Sequence, residues 1–210
     1  MNANPPIAVP LVLFALEREA APFRRVAGPV QIRVSGVGRE NARRAVVEAI
    51  QESTPSRVIA AGFCGALVPD SKVGDIVTSP HIATVDRLVW DPAEKIRLAE
   101  RTGARAVDME SEAIATACAE HGLAFTAIRA VSDASDTRLS PELVRLLSGG
   151  EVAVMRAIAA LIRRPRLFRE FLRLARDTKL AARNLAMALE RELANPQAGR
   201  VTAVPIENVS

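Results

Sequence analysis

Residues 57–65, RVIAAGFCG, decide the fold class. Residues 57–61 are a short unbroken apolar run, closed off by Gly62 and Gly65. Such a run reads as a strand buried on both faces. The pattern recurs outward from it. Residues 7–16 are an apolar run that ends in Glu17-Arg18-Glu19, a buried strand followed by a helix start. Residues 30–34 are a short strand, Ser35-Gly36-Val37-Gly38 a tight turn, and 39–51 carry Ala and Val at helical spacing. On the other side, 75–78 is a short strand, 92–101 an amphipathic charged helix and 104–107 a brief strand. Residues 111–121 form an Ala-rich helix stopped by Gly122, and 125–131 a clean buried strand. Strands alternating with helices specify an α/β protein: a three-layer αβα sandwich around a central mixed sheet. From Pro141 the chain reads as helical to about Leu193, broken at Pro165. A boundary at Ser148-Gly149-Gly150 divides a catalytic domain, 1–150, from a helical extension, 151–210.

With 210 residues, 49% hydrophobic and 25% charged, the chain is long enough for one well-packed domain and too apolar to be disordered. Aromatics are only 3%, with one Trp and no Tyr, which argues against a nucleic-acid binder that stacks bases on rings. The net charge of +4 is carried almost wholly by Arg and still allows contact with phosphates or an anionic membrane surface. Cys64 and Cys118 are too few for a disulfide framework, and with His81 and His121 they match no zinc-ligand spacing. No metal and no organic cofactor is therefore expected. The first ten residues do not read as a signal peptide and no apolar stretch is long enough to span a bilayer, so a cytoplasmic protein is expected.

In open α/β sheets, ligands bind beyond the carboxyl ends of the strands. The polar residues there are Glu17 and Glu19, Gly36 to Arg39, Gly62 to Gly65, Asp108 to Glu112, and Ser132 to Asp136. Each set also has a plain structural reading. The glutamates suit a helix first turn, the glycines suit turns, and Ser132 or Asp133 suits an N-cap. Met109 fits core packing as well as a sugar face. Asp108 and Glu112 read as helix-start carboxylates, and Cys64 as a small buried residue.

Taken together these segments resemble a family. AGFCGALVPDSKVGDIV (61–77) is similar to the Gly-rich segment of the purine nucleoside phosphorylase and methylthioadenosine/S-adenosylhomocysteine nucleosidase superfamily. VDMESEAIA (107–115) resembles its ribose-binding Met-Glu motif, IRAVSDASD (128–136) its purine-binding Ser-Asp motif, and FALEREA (14–20) its first acidic turn. The resemblance covers roughly residues 7–136 and implies cleavage of a purine N-glycosidic bond. It implies that Asp133 delivers a proton to purine N7 with Ser132 positioning it. Glu110 would bind the ribose hydroxyls with Met109 against the sugar, and Glu19 would activate the attacking water. Arg129 would orient nucleophile and carboxylates, and Phe63 and Gly65 would line the substrate. A homo-oligomer is the implied assembly.

Two departures matter. The phosphorylase members carry an Arg and a Ser that touch phosphate, where this chain has Ala60 and Phe63. Inorganic phosphate as co-substrate would need another site, such as Gly38 and Arg39 at a helix N-terminus. Hydrolysis is favoured. The segment between Asp75 and Asp108 is also short for the family, and 81–90 reads as an abbreviated wall strand.

Residues 156–200 hold eleven Lys/Arg against four Asp/Glu. Arg166, Arg169, Arg173, Arg176 and Arg183 fall on one side of a helical wheel, with Leu167, Phe171, Leu174, Ala182, Leu185 and Leu189 on the other. This stripe packs on the sheet, meets a partner subunit, or lies on an anionic membrane through 160–193. The Arg-rich tail resembles the hopanoid-associated phosphorylase branch, which implies a lipid-linked adenosine, adenosylhopane, as substrate. The competing readings are a soluble nucleosidase for methylthioadenosine, S-adenosylhomocysteine or futalosine, and a non-catalytic binding or assembly member.

Overall fold

The computed structural model describes residues 8–137 and 165–194. Its elements run β1 (Leu11–Phe14), α1 (Glu17–Arg24), β2 (Gln31–Val34), α2 (Arg39–Ser53), β3 (Val58–Ala66), β4 (Ile76–Thr78) and β5 (Ile82–Thr84). They continue with α3 (Pro92–Thr102), β6 (Ala106–Asp108), α4 (Ser111–Glu120), β7 (Phe125–Asp133) and α5 (Pro165–Ala194).

β3 is the axis of the sheet. Its first half pairs in parallel with β1 on one edge, from Leu11↔Val58 to Phe14↔Ala61, and β2 extends that edge. β7 runs parallel to β3 along the other edge, from Val58↔Phe125 to Gly65↔Asp133, with a bulge at Cys64/Gly65. Beyond Ala61 the first edge is released, and β6 takes it up antiparallel at Gly65 and Ala66, with β5 parallel to β6. β4 closes on β7 antiparallel. The sheet is mixed, and helices cover both faces. Ala42, Val46 and Ala49 of α2 with Ile114, Ala117 and Cys118 of α4 pack on one face, against Leu11, Leu13, Val58 and Ala60. Ala20 and Phe23 of α1 with Ala181, Leu185 and Leu189 of α5 pack on the other, against Val12, Ile59, Ala61 and Ile128. This is the three-layer αβα sandwich with a mixed sheet that the residue pattern specifies.

Three local differences have physical reasons. β3 does not stop at Ala61 but runs on to Ala66 with both glycines inside it, because β7 supplies hydrogen-bonding partners along its whole length. β7 continues two residues past Val131, so Ser132 and Asp133 stand on the strand's end. Residues 81–90 contain a three-residue strand, β5, which pairs with β6 through Ile82↔Ala106.

α5 is described over Pro165–Ala194. Its second half belongs to the core: Ala181, Ala182, Leu185, Ala186 and Leu189 are buried. Arg57 anchors it through Glu192, at 2.6 Å to the carboxylate and 3.1 Å to the carbonyl. The apolar side of the expected amphipathic helix is thus packed on the sheet from Ala181 onward. Leu172 and Leu180, ahead of that buried stretch, stay exposed. The boundary at Ser148-Gly149-Gly150, the helix from Pro141 and the basic residues Arg156, Arg163 and Arg164 lie outside the described residues. Among the described residues no helix is long and apolar enough to cross a membrane.

Candidate active site

Glu19 sits in the first turn of α1, just past the end of β1, and is buried. Its Oε2 accepts the backbone N–H groups of Ala15 (3.1 Å) and Leu16 (2.9 Å), donors that a helix N-terminus leaves open. Its Oε1 accepts the N–H of Phe63 (2.9 Å), which ties α1 to the extended part of β3. Burial pushes the Glu19 carboxyl above the ordinary glutamate value of 4.5, against the pull of the Phe63 and Leu16 N–H groups and of Arg129.

Arg129, on β7, is the largest fully buried side chain among the described residues. Its Nη2 lies 2.7 Å from Asp108 Oδ2 and 3.7 Å from Glu110 Oε2, and donates to Ser111 Oγ at 3.1 Å. Asp108, at the end of β6, also accepts from Thr84 Oγ1 (2.7 Å), from the Ser111 hydroxyl and from the Ser111 N–H. Burial works to lower the Arg129 pKa, but Asp108, Glu110 and Glu19 outweigh it and hold the guanidinium charged. Gly62 is what lets this cluster close. A Cβ there would lie 2.5 Å from Arg129 Nη1 and 3.2 Å from both Glu19 carboxylate oxygens.

Glu110 stands at the start of α4 and is buried; its Oε1 accepts the N–H of Gly38 at 3.0 Å. Burial raises its pKa above 4.5, opposed by Arg129 and the Gly38 N–H. Met109 beside it is half-buried. Arg39, the first residue of α2, donates to Asp86 at 3.1 Å and to Glu112. The Gly38 N–H and the Arg39 guanidinium, the two groups expected to hold phosphate, are thus both engaged by carboxylates.

Asp133 ends β7 and is only partly covered, with its side chain 16% exposed. Its Oδ1 accepts the Ser132 hydroxyl at 2.9 Å, a hydroxyl also 3.2 Å from the Cys64 carbonyl. Its Oδ2 is paired with Lys95 Nζ of α3. Gly65 lies against the carboxylate, where a Cβ would be 3.3 Å from Oδ2. Gly62 and Gly65 are three residues apart on β3, about 10 Å along a strand. One end of that strip carries Glu19, Arg129 and Glu110; the other carries Asp133. Cys64 between them is buried, which pushes its thiol well above the ordinary range and leaves it no nucleophile.

The sequence profile of the phosphorylase superfamily matches residues 23–82 and 81–163. The chain belongs to the phosphorylase superfamily. Solved structures of similar fold include the futalosine hydrolase of Helicobacter pylori strain 26695, 15% identical with a TM-score of 0.68, covering 90% of this chain and 98% of that one. The 5'-methylthioadenosine/S-adenosylhomocysteine nucleosidase of Neisseria meningitidis in complex with methylthio-immucillin-A is 20% identical, with a TM-score of 0.66 and 90% and 99% covered. The corresponding nucleosidase of Colwellia psychrerythraea 34H in complex with adenine is 18% identical, with a TM-score of 0.67 and 89% and 95% covered. At these identities the likeness is one of fold. No curated protein sequence matches the chain at a significant level.

In this superfamily member the sequence-derived candidates fall into two groups. Glu19, Arg129, Glu110 and Gly38 join in one network, with Phe63 bound to it through its backbone. Ser132, Asp133 and Gly65 form the second, and Arg39 stands outside both with its own carboxylates. Three residues take roles that the sequence reading does not assign to them. Asp108 is the main counter-ion of Arg129, not only a helix-start carboxylate; the Asp-x-x-Ser spacing to Ser111 was the available signal of a cap, and nothing local marks the Arg129 contact. Gly62 is required by the approach of Arg129, a residue distant in sequence. Lys95 carried a readable signal: it lies one turn before Leu98, on the buried stripe of α3.

Proposed function

We propose that the protein cleaves the N-glycosidic bond of a purine nucleoside, with water as the attacking group. The observation that carries this reading is Glu19, a buried carboxylate of raised pKa held by three backbone N–H groups at one end of the strip of β3 between Gly62 and Gly65. Raising the pKa of a carboxylate makes it a stronger base, better suited to take a proton from water. Breaking the bond builds positive charge on the ribose and negative charge on the leaving base. Glu110, with Met109 beside it, binds the ribose hydroxyls, and the neighbouring carboxylates stabilise the cationic sugar. Arg129 holds Glu19 and Glu110 in register and keeps their charges from expelling one another. Asp133, with Ser132 on its Oδ1, protonates the purine at the other end, and Phe63 and Gly65 line the floor.

Water as nucleophile is supported by the Gly38 N–H and Arg39, which are already engaged by Glu110, Asp86 and Glu112. Neither a metal nor an organic cofactor enters this chemistry. Incubation with adenosine and 5′-methylthioadenosine in phosphate-free buffer should release adenine, and Asp133→Asn should abolish the release. Release that requires phosphate would replace hydrolysis by phosphorolysis.

A lipid-linked adenosine such as adenosylhopane is the substrate we favour. A cavity of about 420 Å³ between α1 and α5 is lined by Phe63, Arg18, Arg25, Thr178, Lys179 and Arg183. Leu172 and Leu180 of α5 are exposed, ahead of its buried stretch from Ala181. Apolar and cationic groups side by side suit an anionic membrane surface. Co-sedimentation with anionic liposomes tests this, and binding unaffected by Leu172→Ser with Leu180→Ser removes it. We also propose a homo-oligomer: Val34, Val37 and Leu88 are exposed apolar side chains, and Val37 adjoins Gly38. Light scattering checks the mass.

A further inference from the structure

Lys95 is one of only three lysines in the chain, and its side chain is completely buried. The other described basic side chains with no exposed surface to speak of reduce to Arg129, which faces carboxylates of the sugar end. Lys95 instead points at the base end. Its Nζ donates to Asp133 Oδ2 and, at 2.9 Å, to the Ala134 carbonyl. The helix that presents it is fixed at its start, where Asp91 accepts the Ala93 N–H at 3.4 Å, and Leu98 of the same stripe is buried among Leu67, Ala83, Val89 and Val107. An ammonium taken out of water is retained only for a strong reason, since burying a charge is expensive even when it is paired. Asp133 itself keeps part of its surface open, so Lys95 lies behind it and reaches a substrate only through it.

We propose that Lys95 is the proton source for Asp133: a positioning residue that loads the carboxylate with the proton it gives to the leaving purine. This rests on the nucleosidase reading above and deepens it. Ser132 Oγ lies on one oxygen of the Asp133 carboxylate and the Lys95 ammonium on the other, so the nearest proton-bearing cation to the base end is Lys95 Nζ. When the purine covers Asp133, water leaves the pair, and a dry ion pair is driven toward its neutral form. The proton passes from Lys95 Nζ to the Asp133 carboxylate. The resulting acid gives it to purine N7 as the C1′–N9 bond breaks and its electron pair enters the base. Water adds its hydroxyl to C1′ and gives its proton to Glu19. The products are the free purine and the ribose sugar. On opening, solvent takes the proton from Glu19 and returns one to Lys95.

The test compares two leaving groups. Adenine needs protonation to leave; the p-nitrophenolate of p-nitrophenyl β-D-ribofuranoside does not. Lys95→Met should lower kcat/KM for adenosine by about 10²–10⁴-fold, the usual worth of general acid catalysis. The same variant should lower p-nitrophenyl riboside hydrolysis by less than about threefold. Lys95→Arg keeps the cation but cannot surrender its proton, so it should stay as slow on adenosine as the methionine variant. An equal fall on both substrates, or full adenosine activity in Lys95→Arg, overturns the proposal. Should Lys95→Met fail to fold, Lys95→Gln carries the same comparison. A wild-type protein that cleaves neither riboside overturns the nucleosidase reading and this proposal with it; wild-type cleavage of both leaves only the role of Lys95 at stake.

Discussion

Replacing Gly62 by alanine adds one methyl group at the most crowded point of the site. The new Cβ would lie 2.5 Å from Arg129 Nη1 and 3.2 Å from both Glu19 oxygens. Ordinary contact needs about 3.5 Å, so Arg129 must retreat by about 1 Å. It has nowhere to go: its Nη2 is already 2.7 Å from Asp108 Oδ2, and the side chain is 2% exposed. Overpacking a core costs about 1–3 kcal/mol, and loosening a buried pair moves toward the ~3–5 kcal/mol that breaking one costs, so about 2–4 kcal/mol is expected. At roughly 2–4 °C per kcal/mol for a domain of this size, Tm falls by about 4–16 °C. Misplacing groups that hold the nucleophile by ~1 Å costs about 10²-fold in rate, so kcat/KM for adenine release falls about a hundredfold where the variant is still folded. Gly28→Ala is the control, since its Cβ would meet nothing within 4 Å. Thermal melts and adenine release are the assays. Gly62→Ala that melts within about 1 °C of wild type with unchanged kcat/KM refutes the close approach of Arg129, Glu19 and β3 as the organising contact of the site.

Other expectations follow from the same geometry. The raised Glu19 carboxyl places the acid limb of kcat/KM above pH 4.5, activity rising as Glu19 loses its proton, and Glu19→Gln should flatten the limb along with the rate. For stability the sign is opposite. The raised Glu110 carboxyl contributes stability that is full below its unfolded value of 4.5 and is lost as pH rises through its folded value, so wild type should lose more stability than Glu110→Gln as the pH is raised above 4.5, read from urea midpoints. Cys64 and Cys118 are buried, the latter with its thiol pushed up to about 12, so neither should react with a thiol reagent in the native protein and both should react after denaturation. Leu185→Ala should cost about 2–5 kcal/mol in a denaturant titration, because this face of α5 is core; a stability loss under about 0.5 kcal/mol would make α5 an appendage.

The fold was legible because its signals are local. Val58, Ile59, Ala60 and Ala61 announce a buried strand from their own side chains, and Gly122 marks its helix end. What the sequence left open depends on partners distant along the chain. β3 continues past Gly62 because β7 supports it, and only the Arg129 approach explains why no side chain stands there. The motif residues Glu19, Glu110 and Asp133 were visible by their positions past strand ends. The pairing of Asp108 with Arg129 joins β6 to β7, and that of Lys95 with Asp133 joins α3 to β7; no spacing rule reaches across such separations. The basic helix shows the converse case. Its periodicity revealed an apolar face over Leu185 and Leu189, but what that face meets was settled only by the sheet lying beneath it.

The most direct test of the central claim is the release of free purine from adenosine or 5′-methylthioadenosine in phosphate-free buffer, followed by chromatography for wild type and Glu19→Gln. Adenine should appear with wild type and fall by at least about 10²-fold in the variant. No base released from either nucleoside, or release unchanged by Glu19→Gln, would contradict a water-using nucleosidase built on Glu19.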